Sequence, residues 1–154
     1  MSFIEKFFPN LYEYWYKFLN NCTATFQMFI ISGLIAFVLG LIFGTVLIVF
    51  KKDGIKQNRV VYTIVSIVIN FFRAIPFVIL LVFLIPFTRK VVGTAIGVKG
   101  AIIPLIFGTV PFFSRQVETA LENVDPGKIE AAKSMGSGTW GLIFRVYLHE
   151  SVPE

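Results

Sequence analysis

Between Ala24 and Phe50 no residue carries a charge, and no other stretch constrains the fold as strongly. About 27 residues at a rise of 1.5 Å make a helix of roughly 40 Å, enough to cross a hydrocarbon core of about 30 Å with tilt. The rest of the chain agrees. Of its 154 residues 56% are hydrophobic and 15% charged, with 18 phenylalanines, too apolar a balance for a soluble globule. The expected class is an all-α integral membrane protein. Within this first run Ser32, Ala36, Gly40 and Gly44 recur every fourth residue and form one flat stripe. Small side chains in register let another helix approach closely and gain dispersion contacts that lipid does not offer. Which helix that is, the stripe does not say.

The next apolar run, Val60 to Phe87, is too long for one straightforward crossing. We read its part through Asn70 as an entry segment at the interface and 71–87 as the second span, with Pro76 near its start and Pro86 near its end. Arg73 is the lone ionisable group in that run. It either snorkels to the nearby interface or serves a role in the protein, pinning helix ends through backbone carbonyls or facing a translocation path. A third span is expected over 96–113, carrying Pro104 and Pro111, with Ser114-Arg115 at its exit and a short amphipathic approach from Glu118 to Asn123. Before the first span, Phe3, Phe7, Phe8, Tyr12, Tyr14, Trp15, Tyr16 and Phe18 suit an interfacial segment better than a cleaved signal.

After the spans comes the one long polar stretch, 125–153, read as two helices joined by a tight turn. Asp125 is a good N-cap, Pro126 fits the first helical position and Gly136 suits a left-handed C-terminal cap. Thr139 caps the second helix, whose Trp140, Ile143, Phe144, Tyr147 and Leu148 share one face. Two readings are open for this elbow. Its second helix lies among lipid headgroups, or its first helix fits a groove on another protein.

Several function classes fall away. The net charge of +5 is spread among loops, which implies lipid headgroups and no nucleic acid. The single cysteine, Cys22, excludes an internal disulfide and multi-cysteine metal sites. There is no Ser/His/Asp set, metal-ligand spacing or phosphate-cradling loop, so no enzyme chemistry, metal or cofactor is expected. For orientation, an outside N-terminus puts Lys51, Lys52, Lys56, Arg59, Arg115, Lys128, Lys133 and Arg145 inside, against Lys6, Lys17, Arg89, Lys90 and Lys99 outside. The basic excess favours that topology, with the elbow in the cytoplasm.

Glu130-Ala131-Ala132, then Gly136, then Val146-x-Leu148 resemble the EAA loop of ABC-importer permeases. Asn70 to Phe77 is similar to the F-R-x-x-P element of amino-acid-type members. Further fragments between Tyr62 and Met135, such as Ile85-Pro86-Phe87-Thr88-Arg89 and Val117-Glu118-x-Ala120-Leu121, resemble the methionine-type importers. The resemblance implies a permease bundle in a bacterial inner membrane, with about three of its spans present here. It implies a homodimer around a central path, ATP-binding subunits that carry the hydrolysis, and an external substrate-binding lipoprotein. It assigns Glu130, Ala131, Ala132 and Gly136 to a coupling helix docked on the ATPase, where the alanines leave a low-relief surface. Motion would be alternating access driven by ATP.

The chain departs from the pattern in having Val146 for isoleucine, His149 for proline and Glu154 for a small residue. Without a proline at 149 the second elbow helix is expected to run on past that position. Family members continue past the elbow with about two further spans, so the chain reads as a C-terminally truncated permease. The alternative is a non-transporting membrane protein that keeps only an interaction role.

Overall fold

The computed structural model describes residues 6–152, and the regular elements among them are helices. Phe3, Pro153, Glu154 and the side chain of Tyr12 lie outside the described residues. A short α1 (Pro9–Glu13) precedes α2, Trp15–Phe50, which runs for 36 residues. Helix α2 starts well before the charge-free run because its polar turns satisfy themselves. The Thr23 hydroxyl donates to the Leu19 carbonyl at 3.0 Å and the Thr25 hydroxyl to that of Asn21 at 2.8 Å. Its apolar side chains Phe26, Phe29, Leu34 and Phe37 point outward, the pattern of a helix solvated by lipid.

The second apolar run corrects the expectation of an interfacial segment through Asn70 followed by one span over 71–87. Asn58 caps a helix that the hydropathy did not reveal, accepting from Val60 N at 3.1 Å and Val61 N at 3.3 Å. Helix α3 (Arg59–Ala74) then passes through Asn70 without a break. It ends because Pro76 bars the helical conformation at Ile75, which is extended at φ −83° and ψ 123°. Helix α4 (Phe77–Phe83) leaves at 103° to α3. A third piece, α5 (Ile85–Val92), carries Pro86 in its first turn.

Helix α6 (Gly97–Glu122) runs without a break past 113, where the third span was expected to end, into the approach expected from Glu118 to Asn123. The Ser114 hydroxyl folds back onto the Val110 carbonyl at 2.7 Å, and Arg115 is neutralised by Glu118 within the same helix. The helix therefore continues through the polar pair. Two helices, α2 and α6, are long and apolar enough to cross a membrane, or three spans result if the bent α3–α4 pair counts as one.

Helix α6 is the hub. It packs along α2 over much of its length, and α3, α4 and α5 lean on its other sides. A cluster of buried apolar residues lies at one end of this bundle, where Ile48 and Val49 of α2 meet Val117 and Leu121 of α6, Val124, Ile143 and Tyr147. The elbow is rooted there.

Candidate coupling elbow and the seams that hold it

Asp125 begins the elbow as an N-cap, its carboxylate accepting from Gly127 N at 2.8 Å, and Pro126 opens helix α7 (Pro126–Ser134). The helix stops at Gly136, whose φ of +80° is the left-handed conformation that other residues adopt only with strain. There the Gly136 N–H donates to the Lys133 carbonyl at 3.0 Å and the Ser137 N–H to that of Ala132 at 3.1 Å, the paired closure of a left-handed C-terminal cap.

Beyond the turn, α8 (Thr139–Gly141) leads into a π-helical segment (Leu142–Tyr147) and then α9 (Leu148–Ser151). The helix does run on past His149. The π segment redistributes the apolar face expected of 140–148, since i→i+5 bonding shifts the register of side chains. Ile143 and Tyr147 enter the core, while Trp140 and Phe144 stay exposed and stack on each other with ring centroids 5.9 Å apart. Burial holds the Tyr147 phenol above its ordinary range.

The four expected coupling residues lie on this one elbow but do not share a surface. Glu130, Ala131 and Gly136 are exposed, and Ala132 is buried. The alanine pair is therefore split, one residue offered outward and the other turned inward, because neighbouring helical positions point about 100° apart. The Glu130 carboxylate has no partner among the described residues, whereas its carbonyl accepts from the Ser134 hydroxyl at 2.9 Å. An exposed pair, Lys128 with Glu150, ties α7 to α9. That hydrogen bond raises the Lys128 ammonium and lowers the Glu150 carboxyl relative to their ordinary values. Lys51, after the end of α2, pairs with Glu122 at the end of α6, and the bond raises the lysine.

The small stripe of α2 faces α6. Ser32, Ala36, Gly40 and Gly44 are all buried, and a Cβ at Gly40 would enter the Phe113 ring. At Gly44 it would lie 2.6 Å from Val117 Cβ and 2.9 Å from the Ser114 carbonyl. Both are closer than real side chains pack.

Arg73 and Pro76 sit at the other end of α3, roughly 20 Å of helix from its start beside the elbow. Arg73 is exposed, and its guanidinium lies 5.2 Å from the centre of the Phe112 ring, a cation–π contact. No described backbone carbonyl accepts from it. Pro76 is exposed at the bend.

Sequence reading missed a polar cluster between α3 and α6. Arg115 Nη1 donates to Glu118 Oε2 at 2.6 Å, and the Tyr62 hydroxyl donates to Glu118 Oε1 at 3.0 Å. Arg115 Nη2 reaches Asn70 Oδ1 at 3.1 Å and the Ser66 hydroxyl. Glu118 is 6% exposed, so a carboxylate is held in the interior with both oxygens occupied. One signal was available: Tyr62, Ser66 and Asn70 fall at i, i+4 and i+8, a polar line along an otherwise apolar helix.

Comparison with known proteins places this geometry. The chain is similar to the D-methionine transport system permease protein MetI of Yersinia pestis, 46% identical over 129 residues, 84% of this chain and 59% of the relative. It is similar also to the methionine import system permease protein MetP of Bacillus subtilis, 46% identical over 97% of this chain and 66% of the relative. Among solved structures it matches an inward-facing MetNI methionine ABC transporter with a TM-score of 0.81 and 41% identity, covering 86% of this chain and 62% of the other. The chain thus spans about 59% of the length of the MetI relatives. The family described as "Binding-protein-dependent transport system inner membrane component" matches residues 36–153, from Ala36 of the stripe through the bend, the polar cluster and the elbow, and the chain belongs to it.

Proposed function

We propose that the chain is a permease subunit of an ATP-driven methionine importer and that helix α7 docks on its ATP-binding subunit. The observation that carries this reading is the elbow itself: a short, doubly capped helix, rooted in the main apolar cluster, that presents Glu130 and Ala131 outward. A lever of this kind suits transmission of a rigid-body push. It is brief, closed at both ends, and continuous through Val124 with the hub helix α6. Glu130, with no partner among the described residues, suits a cationic or N–H partner on the ATPase, and Ala131 allows close approach. Gly136 makes the reversal that brings the second helix back to the bundle.

The substrate class follows from the relatives named for methionine transport and import. In this reading the elbow lies in the cytoplasm and the N-terminus outside, as the basic excess of the first loop and elbow favours. A second copy of the chain completes the path, and an external lipoprotein delivers substrate. The bend at Pro76, with Arg73 above Phe112, flanks the path or braces it.

The test is co-expression of the chain in membranes with the ATP-binding subunit of a methionine importer and its binding lipoprotein. The reading predicts capture of the ATP-binding subunit by the tagged chain and uptake of labelled methionine that stops when ATP is depleted. Capture and uptake both at the level of an empty membrane would overturn it.

A further inference from the structure

We infer that Arg115 and Glu118 of α6, with Tyr62, Ser66 and Asn70 of α3, form a strut that makes α3 move with the elbow. The inference rests on the permease reading and adds positioning residues to it. Helix α6 leads through Asn123–Asp125 directly into α7, so any displacement of the elbow reaches α6 first. What must follow α6 is α3, because α3 leads through the 103° bend of Ile75-Pro76 into α4.

Apolar contact fixes one helix to another in register only where the two faces are closely packed. An open cleft of about 400 Å³ between α2, α3 and α6, lined by Phe43, Val65, Val68, Phe72, Phe107 and Val110 among others, leaves much of that seam loosely filled. The polar cluster supplies the register. Glu118 receives one proton donor from each helix, the Arg115 guanidinium and the Tyr62 phenol. Arg115 in turn bonds to Ser66 and Asn70, one turn apart on α3, so that with Tyr62 the cluster spans two turns of that helix. The Arg115–Glu118 pair lies within α6 and survives any movement of α3. A slip of α3 by less than a helical turn would nevertheless break the Tyr62, Ser66 and Asn70 bonds to it together and leave a buried carboxylate oxygen and a half-buried guanidinium edge unsatisfied. The geometry has the properties of a strut: it resists axial slip at two heights and can be re-formed only at discrete positions.

The experiment uses the full chain assembled with its ATP-binding subunit and lipoprotein in proteoliposomes, and reads methionine imported per ATP hydrolysed. Glu118→Gln and the milder Tyr62→Phe are compared with the parent, since Gln keeps the shape and Phe keeps the ring. We expect ATP hydrolysis within twofold of the parent and import per ATP reduced at least fivefold in Glu118→Gln and about twofold in Tyr62→Phe. The swap Arg115→Glu with Glu118→Arg should recover part of the ratio. A merely structural role would lower hydrolysis and import in parallel and leave the ratio unchanged, and that result in both variants overturns the strut. Failure of the parent chain to capture the ATP-binding subunit would overturn the permease reading, and the strut with it.

Discussion

Along α2, helix α6 meets glycine, alanine and serine; along α3 its own guanidinium and carboxylate meet a phenol, a hydroxyl and a carboxamide. The first seam is dry and close, with no room for a methyl group at Gly40 or Gly44. The second is looser, bordered by an apolar cleft, and its specificity comes from hydrogen bonds to a charge pair whose carboxylate is buried. In a medium as apolar as the helices themselves, shape alone holds the first pair together, whereas directed bonds set the register of the second. A helix that must stay with α6 is suited to the first kind of contact. A helix that must shift between defined positions is suited to the second.

The contrast breaks most sharply at Glu118. Glu118→Ala leaves the half-buried Arg115 with only the neutral Ser66 and Asn70 as partners and should cost about 3 kcal/mol, read as a lowered midpoint in a detergent melt. Replacing Arg115 and Glu118 together by Met and Leu should recover most of that loss while import per ATP stays low. Recovery of both would mean that the seam needs only filling. Gly44→Ala tests the dry seam and should cost about 2 kcal/mol by overpacking against Val117 and the Ser114 carbonyl. A neutral result would show that α2 and α6 are not as closely fitted as they lie here. Tyr62→Phe should cost about 1 kcal/mol, the scale of one interhelical bond in a membrane. Ser32→Ala, which keeps the stripe small and loses only a bond to the Met28 carbonyl of its own helix, should change stability by less than about 0.5 kcal/mol.

Smallest of all is the Lys128–Glu150 pair at the elbow surface. Its hydrogen bond lowers the glutamate and raises the lysine. Its contribution is therefore present above the ordinary carboxylate range and is lost as pH falls through the depressed glutamate value. Both groups are exposed to solvent and salt, so a melt followed between neutral pH and pH 4 should move little on this account, and Glu150→Gln should abolish whatever part is seen.

How much of this was legible in the sequence depends on the residue type. The apolar run of α2, the small stripe and the elbow caps are local signals: a charge-free length, a four-residue repeat, an Asp-Pro start and a glycine stop. Each appears in the structure at its position, whereas the expected Thr139 cap does not form: the second elbow helix starts at Thr139 after Gly138 with no side-chain cap bond. The bent α3–α4 pair was misread because hydropathy measures solvent preference and is blind to direction, while Pro76 decides direction by steric exclusion. Helix α6 was cut short for a related reason. Ser114 and Arg115 look like an exit until Val110, Glu118 and α3 supply their partners, and those partners are tertiary facts. Ala131 and Ala132 read alike in sequence, yet only Ala131 faces outward, since the packing of α7 on the π segment settles which one is covered.

The central claim is that α7 is a lever gripped by an ATP-binding partner. The most direct test is a photo-crosslinking residue placed at Ala131 in the chain expressed in intact cells with the ATP-binding subunit of a methionine importer, with a second copy placed at the buried Ala132 as control. The account predicts a crosslink to that subunit from position 131, altered in yield when ATP is depleted, and little from position 132. Equal yields from both positions, or none from position 131 while the chain is present in the membrane, would contradict it.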